Sequence, residues 1–225
     1  MLMKFTDLWT LRPLPQPGAV VMGDCCRITV LTSRLLRLEY DAQQRFCDSA
    51  TQMAICREFP LPAFEVRRDG ACLTLETEAV RLEYDGQPFS SEGLSVTLKG
   101  AYSAYTSVWH YGDAPDTLGG TARTLDNAPG EIPLEDGLMS NKGYAVLDDS
   151  YSMRMDEAGN LLPAQAHGID LYLFCYGHDY RACLRDYYQL SGHTPVLPRY
   201  ALGNWWSRFY PYTEQSYMQL MECFA

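Results

Sequence analysis

The chain has 225 residues, a formal net charge of -10, 47% apolar and 20% charged residues. That composition supports a packed core rather than a disordered segment, and its acidic balance argues against phosphate-backbone binding, which needs clustered Lys and Arg. No run approaches the ~20 apolar residues of a membrane span, and the opening "MLMKFTDLWTLRPLPQPG" has no apolar core ahead of a small-residue cleavage site, so neither a membrane segment nor a signal peptide is expected.

In chain order, the first three-quarters reads as short strands. "RLLRLEYD" alternates Leu36, Leu38 and Tyr40 with Arg37 and Glu39. "ACLTLETEAVRLEYDG" alternates Leu73 and Leu75 with Thr74 and Glu76, then Val80, Leu82 and Tyr84 with Arg81 and Glu83. Period two predicts one buried face and one wet face. Asp-Gly in "RRDGA" and "EYDGQ" suits the positive φ of tight hairpins. "RLEYD" recurs at Arg37–Asp41 and Arg81–Asp85. Two copies without a fixed period read as shared strand chemistry, not a repeat architecture. "EGLSVTLKG" and "GYAVLDDS" are further strands. "GIDLYLFCYG" is nearly all apolar from Ile169 to Tyr176, as expected of a strand covered on both faces. Between them, Asp113 to Asn141 is dense in Gly, Pro, Asp and Asn, and its Leu118, Leu125, Ile132, Leu134 and Leu138 favour a long ordered loop.

The period then changes. In "GHDYRACLRDYYQLSG", Tyr180, Cys183, Leu184 and Tyr187 share a helical face, with His178 or Asp179 as start and Gly192 as stop. "HTPVLPRY" is a connector, because its prolines forbid helix continuation. "YALGNWW" reads as a short strand, and Thr213 and Glu214 open a second helix whose apolar face is Tyr217, Leu220, Met221 and Phe224. Many short strands with regular turns predict a β-sandwich over 1–176. A bridging helix and Pro-containing linker would follow at 177–198, and one βα unit at 199–225. One βα unit cannot bury itself, since its strand keeps open edges and its helix lacks a neighbour. It is therefore expected to open a larger β/α architecture, and without one the helix segment is expected to self-associate or to be disordered.

The eight cysteines show no C-x-x-C spacing and the four histidines are scattered. Zinc spacing is absent, no cofactor or metal is expected, and the thiols are expected to be reduced in a cytoplasmic protein. Asp148 and Asp149 end a strand and point to opposite faces, so they are not a catalytic pair. Gly119 and Gly120 in "TLGGT" read as backbone turn positions, with no P-loop Lys beside them. His110 reads as a core or turn residue, and Tyr210 and Tyr212 as loop packing.

"LGGTARTLD", "PLEDGLMSNKGYAVLDDS" and "LPRYALGNWWSRFYPYTEQSYMQLMECF" together resemble, in order and spacing from about Tyr111 to the end, the N-terminal region of glycoside hydrolase family 31, the α-glucosidase and α-xylosidase family. The resemblance implies a galactose-mutarotase-like sandwich ahead of a (β/α)₈ barrel, of which 199–225 would be the first βα unit. It also implies retaining hydrolysis at an α-linked terminal sugar, with two carboxylates about 5–5.5 Å apart. In the family both lie on later barrel strands, the nucleophile in a W-x-D-M-N-E-like stretch. That stretch is absent here, so no catalytic residue is carried over and this chain alone is expected to be inactive. The substrate expected for the full-length enzyme is an oligosaccharide or α-glycoside. Candidate sugar contacts are Trp205, Trp206 and Arg208 at the end of the barrel strand, Asp148 or Asp149, and Asp126 and Asp136 in the loop. A free-standing carbohydrate-binding sandwich, a mutarotase-like domain and a docking module are the other readings of the same pattern.

Overall fold

The computed structural model describes residues 10–100, 107–121, 127–164, 168–194, 196–205 and 207–224. The described residues are mainly β, in three antiparallel sheets. The chain divides into two compact units, 1–193 and 194–225.

The first sheet contains β1 (Val20–Met22), β2 (Cys26–Thr32), β3 (Leu35–Tyr40), β10 (Ala145–Asp148) and β13 (Ile169–Phe174), in the order β1-β2-β3-β13-β10. The second is a meander of β5 (Phe64–Asp69), β6 (Cys72–Thr77), β7 (Val80–Tyr84), β8 (Leu94–Leu98) and β9 (Val108–His110). One apolar cluster draws on both: Ile28, Val30, Leu36, Leu38, Leu171 and Leu173 from the first sheet, Leu75, Leu82, Leu94, Val96 and Trp109 from the second. Each such side chain removed from water contributes about 1.5–3 kcal/mol, so this shared interior is the main apolar term of unit 1.

The two "RLEYD" copies occupy matching places. Leu38 and Leu82 lie in the shared cluster, Tyr40 and Tyr84 both pack on Phe89 at 5.4 and 5.5 Å between ring centroids, and each copy ends in an Asp that accepts from the backbone two residues on. Asp69-Gly70 makes a tight hairpin, with Asp69 paired to Cys72 and Gly70 at φ 60°. Asp85-Gly86 instead opens a longer connection, closed by Asp85 N–H donating to Gly93 O at 2.9 Å.

The expectation that Arg37 and Glu39 face water is corrected. Both are buried, at 1% exposure. The outer face of the first sheet carries a second layer, made of α1 (Tyr180–Ser191) and the segment running into the third sheet. Leu31, Leu35, Tyr172 and Phe174 on that face pack with Ala54, Phe59, Cys183 and Leu190. The third sheet is small: β4 (Ala50–Thr51), β11 (Arg154–Met155) and β12 (Leu161–Leu162), in the order β12-β11-β4. Covered on both sides, β13 matches the expectation drawn from its apolar run: Ile169, Leu171 and Leu173 pack in the shared cluster, Tyr172 and Phe174 in the second layer. Asp179 caps α1 by accepting from Ala182 N–H at 3.2 Å, and Gly192 ends it at φ 91°.

Unit 2 has α2 (Glu214–Phe224), entered through a reciprocal cap in which Ser216 N–H donates to Thr213 Oγ1 and Thr213 N–H to Ser216 Oγ. The strand expected at "YALGNWW" is corrected: Arg199–Leu202 is a 3₁₀ turn. A strand exists through its ladder, and no described residue pairs with this segment. Local bonds from Ala201 N–H to Pro198 O and from Gly203 N–H to Tyr200 O satisfy the backbone instead.

Candidate functional site

The long loop that carries the family-like strings is built from backbone. Leu118 N–H donates to Met139 O at 2.8 Å, Gly120 N–H to Glu135 O at 2.6 Å, and Glu135 N–H back to Thr121 O at 3.1 Å. Thr117 Oγ1 accepts from Gly137 N–H at 2.9 Å. The two arms approach closely because of their glycines. A Cβ on Gly137 would fall on Gly119 O, and one on Gly120 would lie 2.9 Å from Asp136 O. Gly119 adds a φ of 86° that L residues rarely adopt. So "LGG" and "EDG" mark one pinch between chain segments, consistent with the turn reading of Gly119 and Gly120.

The base of the loop is fastened to unit 1. Leu138 packs against the second-layer cluster, Gly177 N–H donates to Gly143 O at 2.9 Å, and the His178 ring meets Asn141 O at 3.1 Å. Lys142 pairs with Asp116 at 3.2 Å, which holds the lysine above its usual range. Cys183 behind the loop is a buried thiol pushed up to about 12 by desolvation. Asp136 lies on the loop arm, whereas Asp126 and Leu125 lie outside the described residues.

Asp148 and Asp149 diverge as strand alternation requires. Asp148 is exposed and accepts from Ser150 N–H at 2.9 Å, forming a turn. Asp149 is fully buried, accepting from Thr51 Oγ1 at 2.8 Å with Arg57 Nη2 3.8 Å away. It belongs to a layer of buried charge that sequence reasoning missed. Arg37 grips Asp170 with two bonds of 2.8 and 2.6 Å and touches Glu39 at 3.1 Å. Arg27 holds Glu39 at 2.6 Å and Asp48 at 2.6 Å. The available signal was Asp170, an acid inside a strand read as covered on both faces, which demands a buried cation.

In unit 2, Trp205 is 72% exposed and its indole N–H donates to Ala201 O at 3.0 Å. Arg208 lies over the Tyr210 ring at 4.2 Å, and Tyr210, Tyr212 and Tyr217 form a chain of edge-on rings 5.0 and 5.6 Å apart. Trp206 lies outside the described residues. Arg208 and Trp205 are thus surface groups of unit 2, while Asp148 and Asp149 belong to unit 1.

One open groove of about 1160 Å³ was not foreseen. It runs between the segment Thr10–Leu14 and the third sheet, with Asp48, Glu58, Asp156 and Glu157 along it. Asp48 is paired to Arg27, Glu58 to Arg12, and Asp156 is bonded within its own turn by Asn160. No aromatic ring stands among its described lining residues to stack on a sugar. Among the described residues no group of three or more His, Cys, Asp or Glu side chains could hold a metal ion, and no helix is long and apolar enough to cross a membrane.

No family model matches the chain, and no curated protein matches it. Solved structures do match, among them two of a Flavobacterium johnsoniae GH31 dextranase. A mutant complexed with isomaltotriose aligns at 16% identity with a TM-score of 0.48, and the enzyme complexed with glucose at 15% with a TM-score of 0.48. Each alignment covers 79% of this chain and 27% of the dextranase. The chain thus spans about a quarter of the length of these two GH31 dextranase structures.

Proposed function

We propose that this chain is the N-terminal, non-catalytic part of a retaining α-glycosidase of family 31, acting in the full-length protein on terminal α-linked glucose or a related sugar. The observation that carries the reading is the run of family-like strings from Tyr111 to Phe224, in the family's order and spacing. The pinch at Gly119, Gly120 and Gly137 supports it, because close backbone approach accounts for the glycines in two of those strings. In this reading the paired sheets are a galactose-mutarotase-like sandwich and 199–225 opens the barrel. The loop from Asp113 to Asn141 shapes the sugar pocket. Arg208, Trp205 and Trp206 are the candidate sugar contacts of the 199–225 segment, and Asp148 is a separate candidate in the first unit. Asp149, buried against Thr51, serves by holding the end of β10. A cytoplasmic setting, in which thiols stay reduced, is part of the same proposal.

Retaining hydrolysis needs a nucleophile and an acid/base on one pocket, and this proposal places both beyond the residues present here. Purified chain incubated with p-nitrophenyl α-glucoside is therefore expected to release no nitrophenol. Turnover proportional to the chain, surviving purification, overturns the non-catalytic assignment. Calorimetric titration with glucose, maltose and xylose is the companion measurement. Millimolar or tighter binding by this chain alone would make it a carbohydrate-binding module instead.

A further inference from the structure

Among the described charged side chains, only Arg57 and Asp149 have buried polar atoms that make no hydrogen bond: Arg57 Nη2 and Asp149 Oδ1. They belong to one pair, whose closest approach is 3.8 Å, too long for a hydrogen bond. The two partners are not equally poorly served. Arg57 donates to three neutral acceptors, Tyr172 Oη at 2.6 Å, Pro13 O at 3.0 Å and Ser49 O at 2.8 Å. Its charge is dispersed over oriented dipoles. Asp149 receives Thr51 Oγ1 at 2.8 Å and has Ser152 beside it, but Asp170 on β13 repels its charge. Facing it are therefore Thr51 on β4, Arg57 after β4, Asp170 and Tyr172 on β13, and Ser152 in the turn that follows β10.

We infer that Asp149 is a proton-linked latch: its neutral form fastens the three-stranded sheet to the first sheet more firmly than its charged form does. Geometry supplies the reason. A buried carboxylate with one bare oxygen and a like charge nearby costs more than a neutral carboxyl in the same place. Burial, the largest cause, pushes its pKa up and Asp170 pushes the same way; Ser152, Thr51 and Arg57 pull it back without reversing the direction. A group whose pKa is raised on folding contributes stability that is complete below its unfolded value and is lost as pH rises through its folded value. Asp156, in the turn between β11 and β12, has the opposite sign, because Asn160 holds its carboxyl below the usual range. The latch acts on the groove as well, since Ala50 and Met155 of the third sheet line it.

The test is amide hydrogen exchange on the intact chain, read at Thr51 and Gln52, whose N–H groups bond Ala54 O and Met153 O. Protection, corrected for intrinsic exchange, is expected to fall as pH rises from about 4 to about 7, by up to about tenfold for each unit of raised pKa. Asp149→Asn should flatten that dependence and be at least as protected as the parent at neutral pH. A carbon-13 titration of the Asp149 carboxyl in the unmodified chain should give a midpoint above that of an ordinary aspartate, and decides the matter if the variant does not fold. Protection that rises with pH, a variant less protected than the parent at neutral pH, or an ordinary or lowered midpoint overturns the latch.

Discussion

Arg37 shows what alternation reads and what it misses. Leu36, Leu38 and Tyr40 were legible as inward residues, and the structure has them on the shared interior. Arg37 and Glu39 were equally legible as the opposite face, yet that face is covered. Period two gives the side on which a residue lies but not whether a second layer covers it. The consequence is energetic. Arg37 neutralises Asp170 and touches Glu39, and its Nη2 also donates to Cys47 O at 2.9 Å, which ties the incoming segment to β3. Truncating it would remove both of its bonds to the Asp170 carboxylate, which is 0% exposed, while Glu39 keeps Arg27. Arg37→Ala is expected to destabilise unit 1 by about 3–5 kcal/mol. Arg37→Met combined with Asp170→Leu should cost clearly less, because the pair is then replaced by packing, not broken. Urea melts of the parent and the two variants check this: equal losses for both would mean that the charges stabilise beyond their mutual compensation.

At the scale of elements, the ends of α1 were legible, with Asp179, one of the two expected caps, at its start and Gly192 at its end. Its face was legible in part: Cys183 and Tyr187 pack in the second layer as expected, and Leu190, outside the expected set, is buried with them. What the period could not show is Asp186, which lies on the buried face and accepts from Tyr176 Oη at 2.6 Å. The segment Arg199–Trp205 failed for the converse reason: its composition suits a strand, but a strand is stabilised by neighbours and a 3₁₀ turn by itself. The third sheet was invisible because β4, β11 and β12 have two residues each, too few to display a period. Asp179 is the point where helix and sheet are joined, since it caps Ala182 N–H and also pairs with Arg34 at 3.3 Å. The pair is exposed and contributes little, so the cap dominates. Asp179→Ala is expected to cost about 1 kcal/mol and Asp179→Ser only a few tenths, because Ser still caps the helix. A denaturant midpoint for Asp179→Ser as low as that of Asp179→Ala would assign the effect to Arg34 instead.

At the scale of the molecule, the two compact units differ in how they are held. All three apolar clusters are composed of residues from unit 1, and the buried charge layer lies there as well. Unit 2 offers no buried residue in α2, and Tyr217, Met221 and Phe224 are 49%, 40% and 63% exposed, with Leu220 half-buried. A helix of this length is marginal in water without a packed face. Its capping box and its ring contacts between Tyr212 and Tyr217 are the local terms that favour it. The proposal of a barrel-opening unit thus makes a paired prediction about chain ends and assembly. A chain ending at His193 should keep the cooperative melt of the intact protein, because everything that stabilises unit 1 remains. The intact chain should sediment as a concentration-dependent oligomer through Tyr217, Leu220, Met221 and Phe224, and the shortened chain as a monomer. If the shortened chain melts without cooperativity, unit 1 depends on 194–225. If it still self-associates, the contact surface lies on the sheets and the helix face is not its cause.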